Sequence, residues 1–120
     1  MASDKEKMAA LVKILDAKKA GKISAIYVED NTIIASYFVI CTANSLTQIK
    51  ALADEACEKM AEAGEFPRKV EGRSESGWVL LDFEGVIVHI FTAQTREFYD
   101  LERLWVDAPA VDISSLLTED

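Results

Sequence analysis

The sequence predicts an α/β fold, a single small domain in which helices flank a mixed β-sheet. Three observations predict it. Apolar residues recur at helical spacing near the start of the chain and again in its middle, β-branched runs separate those stretches, and two strand-like runs meet at the tight turn Glu84-Gly85. The order helix, two strands, helix, three strands, helix lets the strands flanking the second helix run parallel, while the last two strands form an antiparallel hairpin. A chain of 120 residues holds one core and leaves no room for a second module.

Each element has its own signal. Ser3 and Glu6 fit a capping box, and Met8, Leu11, Val12 and Leu15 form the packing stripe of a helix over residues 4–20, closed by Lys18, Lys19 and Gly21. Residues 23–28 read as a strand and Glu29-Asp30-Asn31 as its turn. Residues 33–42 are nearly all apolar or β-branched, as a strand buried on both faces at the sheet centre requires.

Thr42 to Ser45 open a second helix, with Ser45 and Gln48 as a second capping box. Leu46, Ile49, Leu52, Ala53, Ala56, Cys57 and Met60 mark its buried stripe, and Lys50 with Asp54 and Glu55 with Lys59 form pairs on its wet side. Ala63-Gly64 ends it. Residues 69–71 suit a short strand, and residues 72–77 a polar loop expected to be the most mobile internal segment.

Residues 78–83 and 86–91 have strand composition, and Gly85 supplies the positive φ that a short hairpin loop needs. Thr92 caps a last helical segment that carries Phe98, Tyr99, Leu101, Leu104 and Trp105, and Pro109 forbids its continuation. Residues 110–120 read as a flexible acidic tail, with Val111, Ile113, Leu116 and Leu117 available to fold part of it back.

Half of the residues are apolar and 28% are charged, the balance of an ordinary globular domain. Apolar runs reach only about eight residues, too short to span a bilayer. The first residues include Asp4 and Glu6 and no charged-then-apolar leader. The expectation is a cytoplasmic protein without a membrane, in which Cys41 and Cys57 are buried free thiols.

The net charge of −8 is unevenly spread, +2 over residues 1–53 and −10 over residues 54–120. Phosphate backbones repel such an acidic half, so little direct nucleic-acid contact is expected and a basic protein is the better partner.

The run W-V-L-L-D-F-E-G-V-I-V-H-I-F from Trp78, followed by R-E-F-Y-D-L-E-R-L-W-V-D-A-P from Arg96, resembles the signature of the ribosomal silencing factor family, also called Iojap-related. Tyr37-Phe38-Val39-Ile40, Thr42-Ala43-Asn44-Ser45 and Val70-Glu71-Gly72 continue the likeness upstream, so that residues 1–109 form the family domain. The turn here reads D-F-E-G where the family usually has D-x-G-D, which leaves Glu84 without a family role.

The resemblance implies a small mixed sheet of nucleotidyltransferase-like topology and a mechanism without catalysis. Such factors bind the large ribosomal subunit on its protein fourteen, a basic protein at the face where the small subunit docks, and silence translation when nutrients are scarce. It also implies a homodimer. On the recognition face it places Trp78 and Tyr99. Asp82, Leu101 and Glu102 complete the expected contact set, with His89, Arg96 and Trp105 in support.

The related enzyme fold raises a competing reading, a metal-dependent nucleotidyltransferase built on Asp82 and Glu84 with phosphate held at Asn44-Ser45. The glycine that lets a backbone approach a phosphate is replaced by Ala43 and Asn44, and no third carboxylate stands beside the pair. His89, the only histidine, has no nucleophile or ligand set around it in the sequence, and Arg96 is expected to pair with Asp82 or Glu102. The expectation is therefore no catalytic residue, no metal and no cofactor. A self-associating module without ribosomal business is the third reading.

Overall fold

A computed structural model describes residues 2–118. Helix α1 (Asp4–Ala17) starts at the predicted capping box: the Ser3 hydroxyl accepts from the Glu6 amide, and the Glu6 carboxylate accepts from the Ser3 amide. The helix stops before residue 20 because Lys19 takes a left-handed φ of 66°. Strands β1 (Gly21–Tyr27) and β2 (Ala35–Ala43) pair antiparallel.

The strand expected from residue 33 begins at Ala35. Ile33 and Ile34 lie in the preceding loop, exposed to solvent, since their β-branched shape suits a strand but the turn takes them out of pairing.

Helix α2 (Leu46–Glu62) is capped by Ser45, whose hydroxyl accepts from the Gln48 amide. Gln48 reaches back one residue further than a capping box requires, accepting from the Asn44 amide. Leu46 departs from the expected buried stripe and is exposed, while Ile49, Leu52, Ala56 and Met60 are buried. Lys50 pairs with Asp54 as predicted, whereas Lys59 turns to Glu62, and Glu55 meets Lys18 of α1.

Strand β3 (Lys69–Arg73) pairs with β4 (Trp78–Asp82), and the polar connection between them folds as a single 3-10 turn over Ser74–Ser76. Strand β5 (Gly85–Thr92) follows the predicted turn, in which Glu84 and Gly85 both have positive φ and Phe83 donates its amide to the Val86 carbonyl. The sheet order is β1-β2-β5-β4-β3, with β2 and β5 parallel and the other neighbours antiparallel. The central strand is thus β5, with β2 beside it.

Alternation along the strands divides the core in two. Val39, Cys41, Val79, Leu81, Val86, Val88 and Ile90 face the helices, meeting Met8, Leu11, Val12 and Leu15 of α1 and Ile49, Leu52, Ala56 and Met60 of α2. Phe38, Ile40, Ile87 and Phe91 face the other way, under Trp78, Leu80, Leu101 and Trp105. Cys41 is buried as expected, and Cys57 only half-buried.

The last helical segment is two pieces, α3 (Ala93–Tyr99) and α4 (Leu101–Leu104), because Asp100 takes a left-handed φ of 45° between them. Thr92 caps α3 in a box with Thr95. Beyond Pro109 the chain does not hang free. Tyr27 donates to the Pro109 carbonyl and Val111 to that of Ala25, so the segment closes the outer edge of β1. Ile113 is buried against the helix-side core, and the Thr118 amide and hydroxyl both donate to Asp16. The fold-back that the apolar residues of this segment allow is what occurs through Thr118; Glu119 and Asp120 lie outside the described residues.

Candidate functional site: a half-covered sheet face

Helices α1 and α2 cover one face of the sheet. The opposite face carries α3 over β5 and β2, with Tyr99 reaching Trp78 of β4 and Glu102 of α4 reaching Ser24 of β1. Strand β3 is exposed along its length and Leu80 of β4 is half-buried, so the β4–β3 half is the more open. Register places Trp78, Leu80 and Asp82 of β4 directly opposite Arg73, Glu71 and Lys69 of β3 on this face. The site is where the more open half meets the edge of α3.

Trp78 sits at that seam. Its ring stacks on Phe91 at 5.0 Å and leans on Tyr99 at 4.7 Å. Its indole Nε1 donates to His89 Nδ1 at 3.2 Å. His89 in turn meets Phe38 edge-on at 4.9 Å, and Phe38 meets Trp105 at 5.0 Å. The fold thereby joins Trp78, Tyr99, His89 and Trp105 in one aromatic chain across the sheet. Leu101 packs into the same cluster.

Because Nδ1 of His89 accepts a bond, the neutral ring carries its proton on Nε2, which is buried without a hydrogen-bond partner among the described residues. Burial holds the ring pKa down at about 4, below the ordinary 6.5. His89 is therefore neutral near pH 7 and acts as the acceptor that orients Trp78.

A pH dependence of stability follows. The unfolded chain binds this proton below about pH 6.5 and the folded chain only below about pH 4, so stability is lost as pH falls through that interval, by roughly 3 kcal/mol in full. His89→Gln keeps an acceptor for the indole and removes the titration. Urea midpoints between pH 4 and 7 should fall less steeply in His89→Gln than in the unaltered protein, and equal slopes would refute the assignment.

Arg96 resolves its two candidate partners in favour of Glu102. Its Nε and Nη2 donate to the Glu102 carboxylate at 2.9 and 3.0 Å, and this pairing lowers the Glu102 pKa. Nη1 donates to the Lys22 carbonyl at 2.7 Å and the Thr42 hydroxyl at 2.9 Å, and Nη2 to the Ser24 hydroxyl at 3.3 Å. One side chain thus ties α3 and α4 to β1 and β2.

Asp82 is buried and committed within the chain. Its Oδ2 takes Arg68 Nη2 at 3.0 Å, and its Oδ1 accepts the Glu84 amide at 2.9 Å, which fixes the turn. Sequence reasoning missed Arg68, and it missed Lys7. Lys7 is buried on α1, and its Nζ donates to the carbonyls of Phe83 and Glu84 at 3.2 and 3.0 Å. No spacing rule links residues so far apart.

At the C-terminal ends of the parallel strands, where α/β folds commonly bind ligands, the capping groups are used locally. Ser45 caps α2, and the Thr95 hydroxyl donates to the Gly77 carbonyl. Among the described residues no cluster of three His, Cys, Asp or Glu could hold a metal ion, and no helix is long and apolar enough to cross a membrane.

Fold and site together define a small α/β domain with a five-stranded mixed sheet and one half-bare, aromatic-seamed face. The family model described as "Ribosomal silencing factor during starvation" matches residues 1–120. A ribosomal silencing factor of Halalkalibacterium halodurans is 35% identical over 116 residues, covering 97% of this chain and 99% of the relative. One from Bacillus subtilis is 42% identical over 98 residues, covering 82% and 83%. A crystal structure of a Chromobacterium violaceum protein superposes with a TM-score of 0.84 at 30% identity, covering 88% of each chain. The chain belongs to the ribosomal silencing factor family.

Proposed function

We propose that this protein is a translational repressor that binds the large ribosomal subunit on its protein fourteen and blocks joining of the small subunit by occupying the docking face. The observation that carries the reading is the seam on the half-covered sheet: Trp78 and Tyr99, the aromatic pair of the family signature, stand in contact at a surface edge of an acidic half-chain. Trp78, Tyr99, Leu101 and Glu102 present the contact face. Asp82 supports it from beneath through Arg68, and His89, Arg96 and Trp105 hold it in shape.

The mechanism is steric and needs no reaction at the site. Opposite charge speeds encounter with a basic protein, and buried rings set the residence time. A repressor of this kind works in the cytoplasm, where subunits join.

Purified protein fourteen should bind this protein with an affinity that falls by about tenfold or more between low salt and roughly 0.5 M salt, because screening shortens the reach of the acidic surface. Titration by calorimetry reads it directly. Binding that ignores salt, or no binding at any salt, would refute the charge-steered contact.

A further inference from the structure

Three of the residues assigned to the contact face or its support are half-buried. Trp78, Leu101 and Trp105 pack onto the sheet-face core, and Trp105 contacts Phe38. Their neighbours are turned outward: Phe98 is 79% exposed, Leu104 76% and Val106 76%. Of the ten exposed large apolar side chains among the described residues, four fall within residues 98–106. Such clustering marks an interaction site, whereas scattered exposed apolar residues need no explanation.

Phe98 continues the face described above. Phe98 meets the Tyr99 ring edge-on at 5.0 Å, and Tyr99 leans on Trp78. Within residues 97–107 the exposed charges are mostly acidic, Glu97, Asp100 and Asp107 against Arg103, with Arg96 and Glu102 paired to each other.

We infer that Phe98, Leu104 and Val106 are the anchors of a protein-docking ridge, and that its occupant is a basic protein surface with an apolar pocket. The inference rests on the repressor reading and deepens it. It moves the binding energy from the half-buried tryptophans to side chains that still have area to bury. Trp78 and Trp105 then act as positioning residues that hold the ridge, and Glu97 and Asp107 select a positively charged partner.

The test compares the unaltered full chain with Phe98→Ala/Leu104→Ala/Val106→Ala and with Glu97→Lys/Asp107→Lys, using purified large ribosomal subunits as the probe and urea midpoints as the check on folding. The triple variant should keep its urea midpoint and lose about tenfold or more in affinity. The charge-reversed variant should bind more weakly at low salt and converge on the unaltered protein at high salt. Equal affinity of the triple variant and the unaltered protein would overturn the ridge while leaving the repressor reading standing. Failure of the unaltered protein to bind would remove the reading and the ridge with it. If the triple substitution instead splits a dimer and leaves subunit affinity unchanged, a second copy of this chain is the occupant and the inference is wrong.

Discussion

Trp78→Ala is expected to lower stability by about 3 kcal/mol and to abolish large-subunit binding, whereas Tyr99→Ala weakens binding at a stability cost below about 1 kcal/mol. The two residues touch, but their burial differs. Trp78 is half-buried, stacked on Phe91 and bonded to His89, so alanine leaves a cavity over β5 and strips the indole from the Nδ1 acceptor. Tyr99 is 45% exposed and forms the rim of the same seam.

Chemical denaturation separates the two effects, since loss of binding at an unchanged urea midpoint belongs to contact and loss of both belongs to the scaffold. Trp78→Phe refines the test, keeping the stack and removing the bond to His89. A urea midpoint unmoved by Trp78→Ala would contradict the place given to this side chain.

Arg96→Ala is expected to cost about 3 kcal/mol and to loosen α3 and α4 from the sheet. The guanidinium is nearly buried and satisfies four groups on three separate stretches of chain: the Glu102 carboxylate, the Lys22 carbonyl, and the hydroxyls of Ser24 and Thr42. Removing it leaves Glu102 without its cation and the Lys22 carbonyl without its donor. Lysine cannot restore this, because a single ammonium cannot address a carboxylate and the β1–β2 oxygens in one plane.

The Glu102 side chain is 40% exposed, so solvent screens much of the ion pair. Glu102→Gln should therefore cost only about 1 kcal/mol. Limited proteolysis within residues 97–107 should accelerate in Arg96→Ala well before global unfolding. Cleavage at the unaltered rate would show that α3 and α4 hold to the sheet without this side chain.

Local chemistry was readable in advance. Ser3 and Glu6 cap α1 as their spacing requires, and Glu84-Gly85 makes the hairpin because two adjacent positive φ values favour glycine at one of them. The aromatic run after Arg96 lies along the seam of the half-covered sheet face. Its break did not show, because an aspartate in the left-handed region leaves no more trace than any polar residue in a helix.

Long-range placement was not readable either. Lys7 spans most of the chain to reach the Phe83 and Glu84 carbonyls, and a lysine on an amphipathic helix ordinarily signals the wet side. Asp82 is buried, and its partners are Arg68, fourteen residues upstream, and the Glu84 amide, a pairing that no spacing rule gives. Residues 110–118 have the composition of a loose terminus, but the unpaired edge of β1 gives their backbone somewhere to bond. Hydrophobic periodicity finds elements, whereas edges and turns decide where they meet.

The most direct test of the repressor account is light scattering of subunit joining. Purified large and small subunits are mixed after the large subunits have been preincubated with this protein. The account predicts that the scattering rise is slowed and reduced as the protein saturates the large subunit, and that Trp78→Ala restores it. Normal joining with the large subunit fully occupied would contradict the account, since a bound factor that leaves the docking face free cannot act by blocking it.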